Sequence, residues 1–384
     1  MKIYKVCMAD KLLRGVILLF IILFLSCSPR TSCFPSKDYL YLLSKFPESS
    51  QGRGLEPFYF SGISDQPMTY GLILSAETFH YRCYPNEESY RRIRKAVSWL
   101  VDNIDSDGDG FPGWGLPDEW DAFGDGSINK ANQPYTITTA IVLMALLDAL
   151  AIPEFWTDFE AESIRNTVIK TSIRWCKEVY SEIDSGGFFW YSPNPADASY
   201  FVPNVSAMFL GALTRLIYEQ KKYLTPNDIQ LIENRVKNAA QLIIQKSIPR
   251  NGLPFWNYIA LPNPLNQNEP NDLVHHAYIL FGMEIYRSLG QKVELPWTRE
   301  QAIQSLNRFI KNGLIYDYPQ DVVYVGGQES YTIRPAILWG VGMMLAFDAK
   351  YGDISRTEMV LDIIKTQYGS FPDIHLWPEY YSKD

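Results

Sequence analysis

Helical segments return in this chain at a fixed interval, and that recurrence restricts the fold more than any other feature of the sequence. Apolar segments rich in small residues begin near Met68, Tyr135, Pro203, Asn271 and Tyr331, roughly 60 to 68 residues apart, and a more amphipathic segment follows each. TAIVLMALLDAL (139–150) against IRNTVIKTSIRWCKEVY (164–180) shows the contrast. A helix apolar on most sides must be surrounded by others, whereas an amphipathic one buries a single stripe. The periodicity predicts helices over 68–81, 88–104, 135–151, 160–183, 203–221, 226–247, 272–289, 298–311, 332–351 and 356–367. Paired in order, they form inner and outer members of five to six hairpins set in a ring.

A second repeat has the same period. After the outer segments the chain reads GLEPFYF, GFPGWG, GFFWYS, GLPFWNY, GLIYDYP and GSFPDIHLW, opening at Gly54, Gly110, Gly187, Gly252, Gly313 and Gly369. The glycine suits a left-handed residue closing a helix, and the apolar residue behind it can fold under the loop. Long aromatic loops would then gather at one rim, and short turns at the other.

No linker-like composition divides the 384 residues, so residues 49–384 read as one all-α domain, and a 47% hydrophobic composition can fill its core. A net charge of −8 without a basic stripe argues against a nucleic-acid partner. At the N-terminus Lys2, Lys5, Lys11 and Arg14 precede the apolar run from Gly15 to Ser26, too short for a membrane span. Cys27 follows directly. This order matches a bacterial lipoprotein signal over residues 1–26, with Cys27 lipidated, residues 27–48 a tether, and the protein held at the membrane of the cell envelope by its lipid. Cys33, Cys83 and Cys176 form no metal-binding pattern.

The segment from Asp105 to Gly126, DSDGDGFPGWGLPDEWDAFGDG, is the densest concentration of carboxylates, glycines and tryptophans. Asp105, Asp107 and Asp109 alternate before Gly110, as in loops that turn oxygen ligands onto a structural Ca2+, although Leu116 stands where a calcium loop would close on Glu. Asp118, Glu119 and Asp121 lie among Trp114, Trp120 and Phe123. Rings stack on pyranose faces and carboxyls serve as acid, base or nucleophile, so the segment points to a glycan substrate.

A ring of helical hairpins with such loops resembles the (α/α)-toroid, or six-hairpin, carbohydrate-active enzymes. DSDGDGFPGWGLPDEWD in particular resembles the DxDGDGxP…DxxYDxW segment of the bile-acid β-glucosidase family over about 25 residues. That resemblance implies an acid role for Asp118 or Asp121, with Glu119-Trp120 standing where that family has a Tyr between its acids. Polysaccharide lyases and uronyl C5-epimerases share the architecture.

Other candidates sit where inner helices begin. Asp272, His275 and His276 open one of them; the adjacent histidines point to different sides, so one at most faces the rim. Arg334, within YTIRPA, is placed one turn into a helix, where it pairs with Asp317 or Glu329 or receives a substrate carboxylate. Asn204 opens another inner helix. Trp190, Tyr191, Trp256, Tyr258 and Tyr316 hold equivalent loop positions and, with Trp114, Trp120 and Tyr135, are candidates for sugar contact. Two chemistries fit. Glycoside hydrolysis by a carboxyl pair, one member from Asp118, Glu119 or Asp121 and the other from Glu329, Asp317 or Asp272, is favoured by the acidic loop. A uronate lyase or epimerase would use His275 or His276, a Tyr and Arg334. The third possibility is a glycan-binding surface lipoprotein without catalysis.

Overall fold

The computed structural model describes residues 48, 51–55, 63–261, 270–290, 292–321 and 334–368. The signal segment, Cys27 and nearly all of the tether lie outside the described residues, as do Glu329 and the loop opening at Gly369. Ten α-helices are found among the described residues: α1 Pro67–Cys83, α2 Glu87–Asp102, α3 Thr136–Leu150, α4 Asp158–Glu178, α5 Pro203–Gln220, α6 Pro226–Gln245, α7 Leu273–Leu289, α8 Arg299–Asn307, α9 Leu338–Tyr351 and α10 Ile354–Tyr368. Odd and even members pair as five antiparallel hairpins, and each odd helix packs beside the next odd one. Side chains of all five odd helices line one cavity, so they surround a common axis. The inner and outer assignment follows burial: α3 buries twelve of its fifteen residues, α4 only six of twenty-one.

Polar N-caps mark the outer helices. Asn86, Thr157, Thr225 and Thr298 each accept from an amide of the first turn, satisfying one of the donors a helix start leaves open. Of the inner helices α1, α3, α5, α7 and α9, only α7 has such a cap, Asp272. The inner-to-outer turns are short (84–86, 151–157, 221–225, 290–298, 352–353), while the outer-to-inner loops are long (103–135, 179–202, 246–272, 308–337) and share one face.

Three helix ends differ from the periodicity. Strands β1 Arg53–Leu55 and β2 Ile63–Asp65 pair ahead of α1, and α4 stops at Glu178 because Tyr180–Ile183 is a strand, β3, paired with β4 Gly186–Phe189. Gly187 is needed there, since a Cβ would lie 1.9 Å from the Tyr180 hydroxyl oxygen. α8 stops at Asn307 and the chain continues into the hairpin β5 Ile310–Lys311 and β6 Leu314–Ile315. That hairpin turns on Asn312-Gly313 with φ of 53° and 72°, the pair a two-residue turn with left-handed corners requires, and Asn251-Gly252 repeats it at 54° and 76°. The recurrent glycines at 252 and 313 therefore make hairpin turns rather than helix ends. α9 begins only at Leu338, because Pro335 disfavours helix at the residue before it. Residues 334–336 instead pair with 315–317, so Arg334 sits on an extended strand ahead of the helix, not one turn inside it.

Between helices, α5 and α7 approach closely. Gly282 abuts the α5 backbone so closely that a Cβ would lie 2.0 Å from the carbonyl oxygen of Ala207, and Gly211 faces Gly282 in return. Between α1 and α2 lies a fully buried carboxyl, Glu77. Burial raises its pKa to about 7 against the opposing pull of the Ser89 hydroxyl and the Arg92 charge. The folded state thus holds this proton more tightly than the unfolded chain, giving stability that is complete below the ordinary carboxylate range and lost as pH rises towards about 7. Glu77→Gln is expected to be more stable than wild type at pH 8, by on the order of 1–3 kcal/mol, and level with it at about pH 4. Urea midpoints at the two pH values test this; an equal offset at both would locate the effect in packing.

Candidate functional site at the long-loop rim

The N-terminus of α7 carries the most reactive constellation among the described residues. Asp272 Oδ1 accepts the amide N–H of His275 at 3.0 Å and lies 2.7 Å from His275 Nδ1. Burial pushes the Asp272 pKa up, but His275, its amide and the Arg334 charge outweigh that and hold it below the usual carboxylate value. An ionised carboxylate only accepts, so Nδ1 carries the hydrogen and a neutral ring has its basic lone pair on Nε2. The His275 side chain is 27% exposed, and its ring meets that of Tyr258 edge to face, 4.6 Å between centroids. Bridging of Asn257 to Pro270 brings the Tyr258 loop to this helix start.

Asp317 lies beside the pair and fixes it through its backbone. Its carbonyl accepts from the Leu273 amide at 2.8 Å, and its own amide donates to the Arg334 carbonyl at 3.0 Å. The Asp317 side chain is 2% exposed with Oδ2 3.1 Å from Arg334 Nε, whereas Arg334 itself is 40% exposed. Of the two partners open to Arg334 on sequence grounds, Asp317 is thus the one observed. Burial and the nearby Asp272 charge raise the Asp317 pKa to about 7 against the pull of Arg334 and the Ile337 amide. One site therefore holds two carboxyls displaced in opposite directions.

Aromatic rings continue the rim away from Arg334. The Tyr191 hydroxyl shares hydrogen bonds with Tyr258 and Trp120, which counter the burial that raises its pKa to about 12. Tyr135 and Phe123 meet the Tyr191 ring edge on, at 5.5 and 5.4 Å, and Phe123 stacks on Tyr200 at 3.9 Å. Beneath them a buried polar knot ties two loops together. Asp197 Oδ2 accepts from Ser192 Oγ at 2.6 Å and Asn129 Nδ2 at 3.2 Å, while Asn129 exchanges both backbone hydrogen bonds with Trp120 at 2.9 Å. Asn129, Ser192 and Asp197 are absent from the candidates the sequence offers, since no motif or period marks a lone polar residue that will be buried, and so is the half-buried Tyr200.

Several candidates take other roles. Trp114 and Trp256 are 1% and 0% exposed and donate Nε1–H to the carbonyls of Leu100 and Ile243, so their faces are closed to a sugar. His276 is buried among Phe255, Trp256 and Phe309, with Nε2 2.9 Å from Ser305 Oγ, and burial lowers its pKa to about 3. Asn204 is 2% exposed within α5. The Asp121 carboxylate accepts amide hydrogens from Phe123, Gly124, Asp125 and Gly126, which makes it the knot of its own loop rather than a free acid. Glu119 is exposed and Asp118 half-buried. Trp190 donates to Ser181 Oγ at 2.7 Å and braces the β3–β4 hairpin. Tyr316 is half-buried, its amide bonded to the Phe309 carbonyl.

The acidic triad is assembled apart from these groups in sequence. Carboxylate oxygens of Asp105, Asp107 and Asp109 lie within 4.8 Å of one another. Oδ1 of Asp105 and of Asp107 are buried with no hydrogen-bond partner among the described residues, and burial followed by the Asp109 charge raises the Asp107 pKa. All-oxygen donors with unsatisfied lone pairs fit a hard cation.

No protein-family model matches the chain, and no curated protein matches it. Solved structures do. A glycoside hydrolase family 76 mannosidase of Bacteroides thetaiotaomicron VPI-5482 aligns with 91% of this chain and 88% of its own at 11% identity and a TM-score of 0.58. A polysaccharide lyase aligns over 89% of both chains at 13% identity and 0.54. The unsaturated glucuronyl hydrolase of Bacillus sp. GL1 covers 94% and 86% at 11% identity and 0.51. At these identities the likeness shows the fold, an (α/α) toroid.

Proposed function

We propose that the chain is a carbohydrate-active enzyme that works at the long-loop rim on an acidic glycan, by abstracting a proton next to a uronate carboxylate. The observation that carries this is the Asp272–His275 contact at 2.7 Å, with Tyr258 against the imidazole and the half-exposed Arg334 on the same rim. Arg334 and the N-terminal ends of the inner helices offer positive charge to the substrate carboxylate. That stabilises the carbanion developing at C5. His275 Nε2 takes the C5 proton, Asp272 holds the imidazolium that results, and Tyr258 supplies a proton to the departing O4 as the C4–O4 bond breaks and C4=C5 forms. Return of the proton to the opposite face of C5, without loss of O4, would be epimerisation. Incubation with neutral and acidic polysaccharides tests the proposal: an ultraviolet-absorbing unsaturated product from acidic chains is expected.

Hydrolysis is the second reading, favoured by the opposed displacements of Asp272 and Asp317, the pattern of a base and an acid that share a site. Asp317 would then protonate the glycosidic oxygen and Asp272 would act as base or nucleophile. New reducing ends without ultraviolet absorbance would select it, and binding without either product would leave a glycan-binding lipoprotein.

Calcium and the envelope belong to the same proposal. Asp105, Asp107 and Asp109 would hold Ca2+ and stiffen the loop that carries Trp120. Saturating Ca2+ is expected to raise the melting temperature, by about 2.7 kcal/mol of stability at a hundredfold excess over Kd, and chelation to reverse it. Asp107→Asn should remove that response. Lipidation at Cys27 predicts a membrane-fraction protein carrying diacylglyceryl mass, with Cys27→Ala blocking both.

A further inference from the structure

At the end of the ring remote from the long loops, where the inner helices finish, a cavity of about 300 Å³ opens, within the range of small-molecule sites. Its depth follows the helices. Mid-helix residues Met144, Met208, Ile285 and Met343 are 1–7% exposed and form an apolar floor. Residues one to three turns later, Arg82, Asp148, Arg215, Glu219 and Lys350, form a charged mouth. The two carboxylates there are already engaged: Arg215 contacts Asp148 at 2.9 Å and Glu219 at 2.7 Å, and Ser75 donates to Asp148 at 2.7 Å. Arg82 and Lys350 are exposed by surface area on α1 and α9 and join no salt bridge among the described residues, but burial of the ammonium and the Arg215 charge lower the Lys350 pKa to about 8 against the pull of Asp148 and Glu219; Lys350 Nζ stands 5.0 Å from the Phe281 ring centroid. Three cations against two carboxylates leave one net positive charge above a hydrocarbon floor.

We propose that this cavity binds an amphipathic aliphatic carboxylate, its head between Arg82 and Lys350 and its tail on the methionine-rich floor. Methionine suits such a floor because its unbranched thioether adapts to a flexible chain. The ligand would link the first and last inner helices of the ring, and the site is independent of the chemistry at the other rim. The competing role for the two cations is to offset the carbonyl dipoles where α1 and α9 end.

Calorimetric titration of the full-length protein with hexanoate, octanoate and decanoate, and with octanamide as the uncharged control, separates these roles. One saturable site is expected, its Kd falling about three- to fourfold per added methylene until the floor is covered. In the Arg82→Gln/Lys350→Gln double variant, whose replaced side chains are exposed, Kd for octanoate should rise about tenfold or more, as loss of charge-assisted hydrogen bonds requires. Octanamide should bind wild type as weakly as octanoate binds that variant. No saturable binding at millimolar octanoate would overturn the proposal, and so would equal affinity for octanoate in wild type and variant. Displacement of octanoate by an acidic polysaccharide would also overturn it, by moving the ligand to the long-loop rim.

Discussion

His275→Ala is expected to lower kcat/KM on an acidic glycan by about 10²–10⁴-fold, the range lost with a positioned general base, while the melting temperature moves little. The side chain is 27% exposed and packs on one ring, so the stability effect is mainly the loss of its contact with Asp272. Asp272→Asn should lose a comparable factor for a different reason. The amide oxygen can still cap α7, but it no longer stabilises the imidazolium. Arg334→Gln should divide substrates by charge, weakening acidic chains about 10- to 100-fold, the value of hydrogen bonds to a charged group, and neutral chains hardly at all. Full turnover by the His275→Ala enzyme would sink the proton-abstraction proposal. If Asp317→Asn alone abolished activity and reducing ends were the product, the carboxyl pair would take its place.

Gly282→Ala should produce a large stability loss for a single added methyl, at or beyond the upper end of the ~1–3 kcal/mol typical of overpacking. The obstacle is backbone, 2.0 Å from the new atom, and no rotamer change relieves it. Only a separation of α5 and α7 would, and both helices are buried along most of their length. Gly290→Ala is the control: its Cβ would meet only Thr214 Cγ2, at an ordinary 3.6 Å. Urea midpoints should fall for the first and stay level for the second. A level midpoint for Gly282→Ala would mean that this helix pair is looser than its contacts imply.

Hairpins, inner and outer, were legible because burial on all sides and burial on one stripe leave different apolar patterns. Asp272 and His275 were legible only as separate candidates at one helix start; their contact rests on three residues being the reach of an N-cap to the first free amide, which the structure shows. The loop echo misled in one respect. GFPGWG and GLPFWNY repeat because Trp114 and Trp256 do the same structural task, each plugging its loop onto a carbonyl of the outer helix before it. Repetition there reports architecture, and the chemistry sits at positions that break it. Asp121 shows a second limit, since four amides from its own loop meet one carboxylate only once the Gly124–Gly126 turn has closed. Arg334 shows a third: YTIRPA copies YTITTA by letter, but with its proline residues 334–336 are extended and the guanidinium meets Asp317.

Because each hairpin leans on the one before it, the residues of the rim are supplied in the order in which the chain is synthesised. Tyr191, Tyr258 and the Asp272–His275 pair can take their places when α7 docks on α5. Asp317 and Arg334 arrive only with the final hairpin, whose strand pairing also anchors the Leu273 amide. A growing or truncated chain therefore has a nearly complete wall and an unfinished rim, without the cation that would hold an acidic sugar.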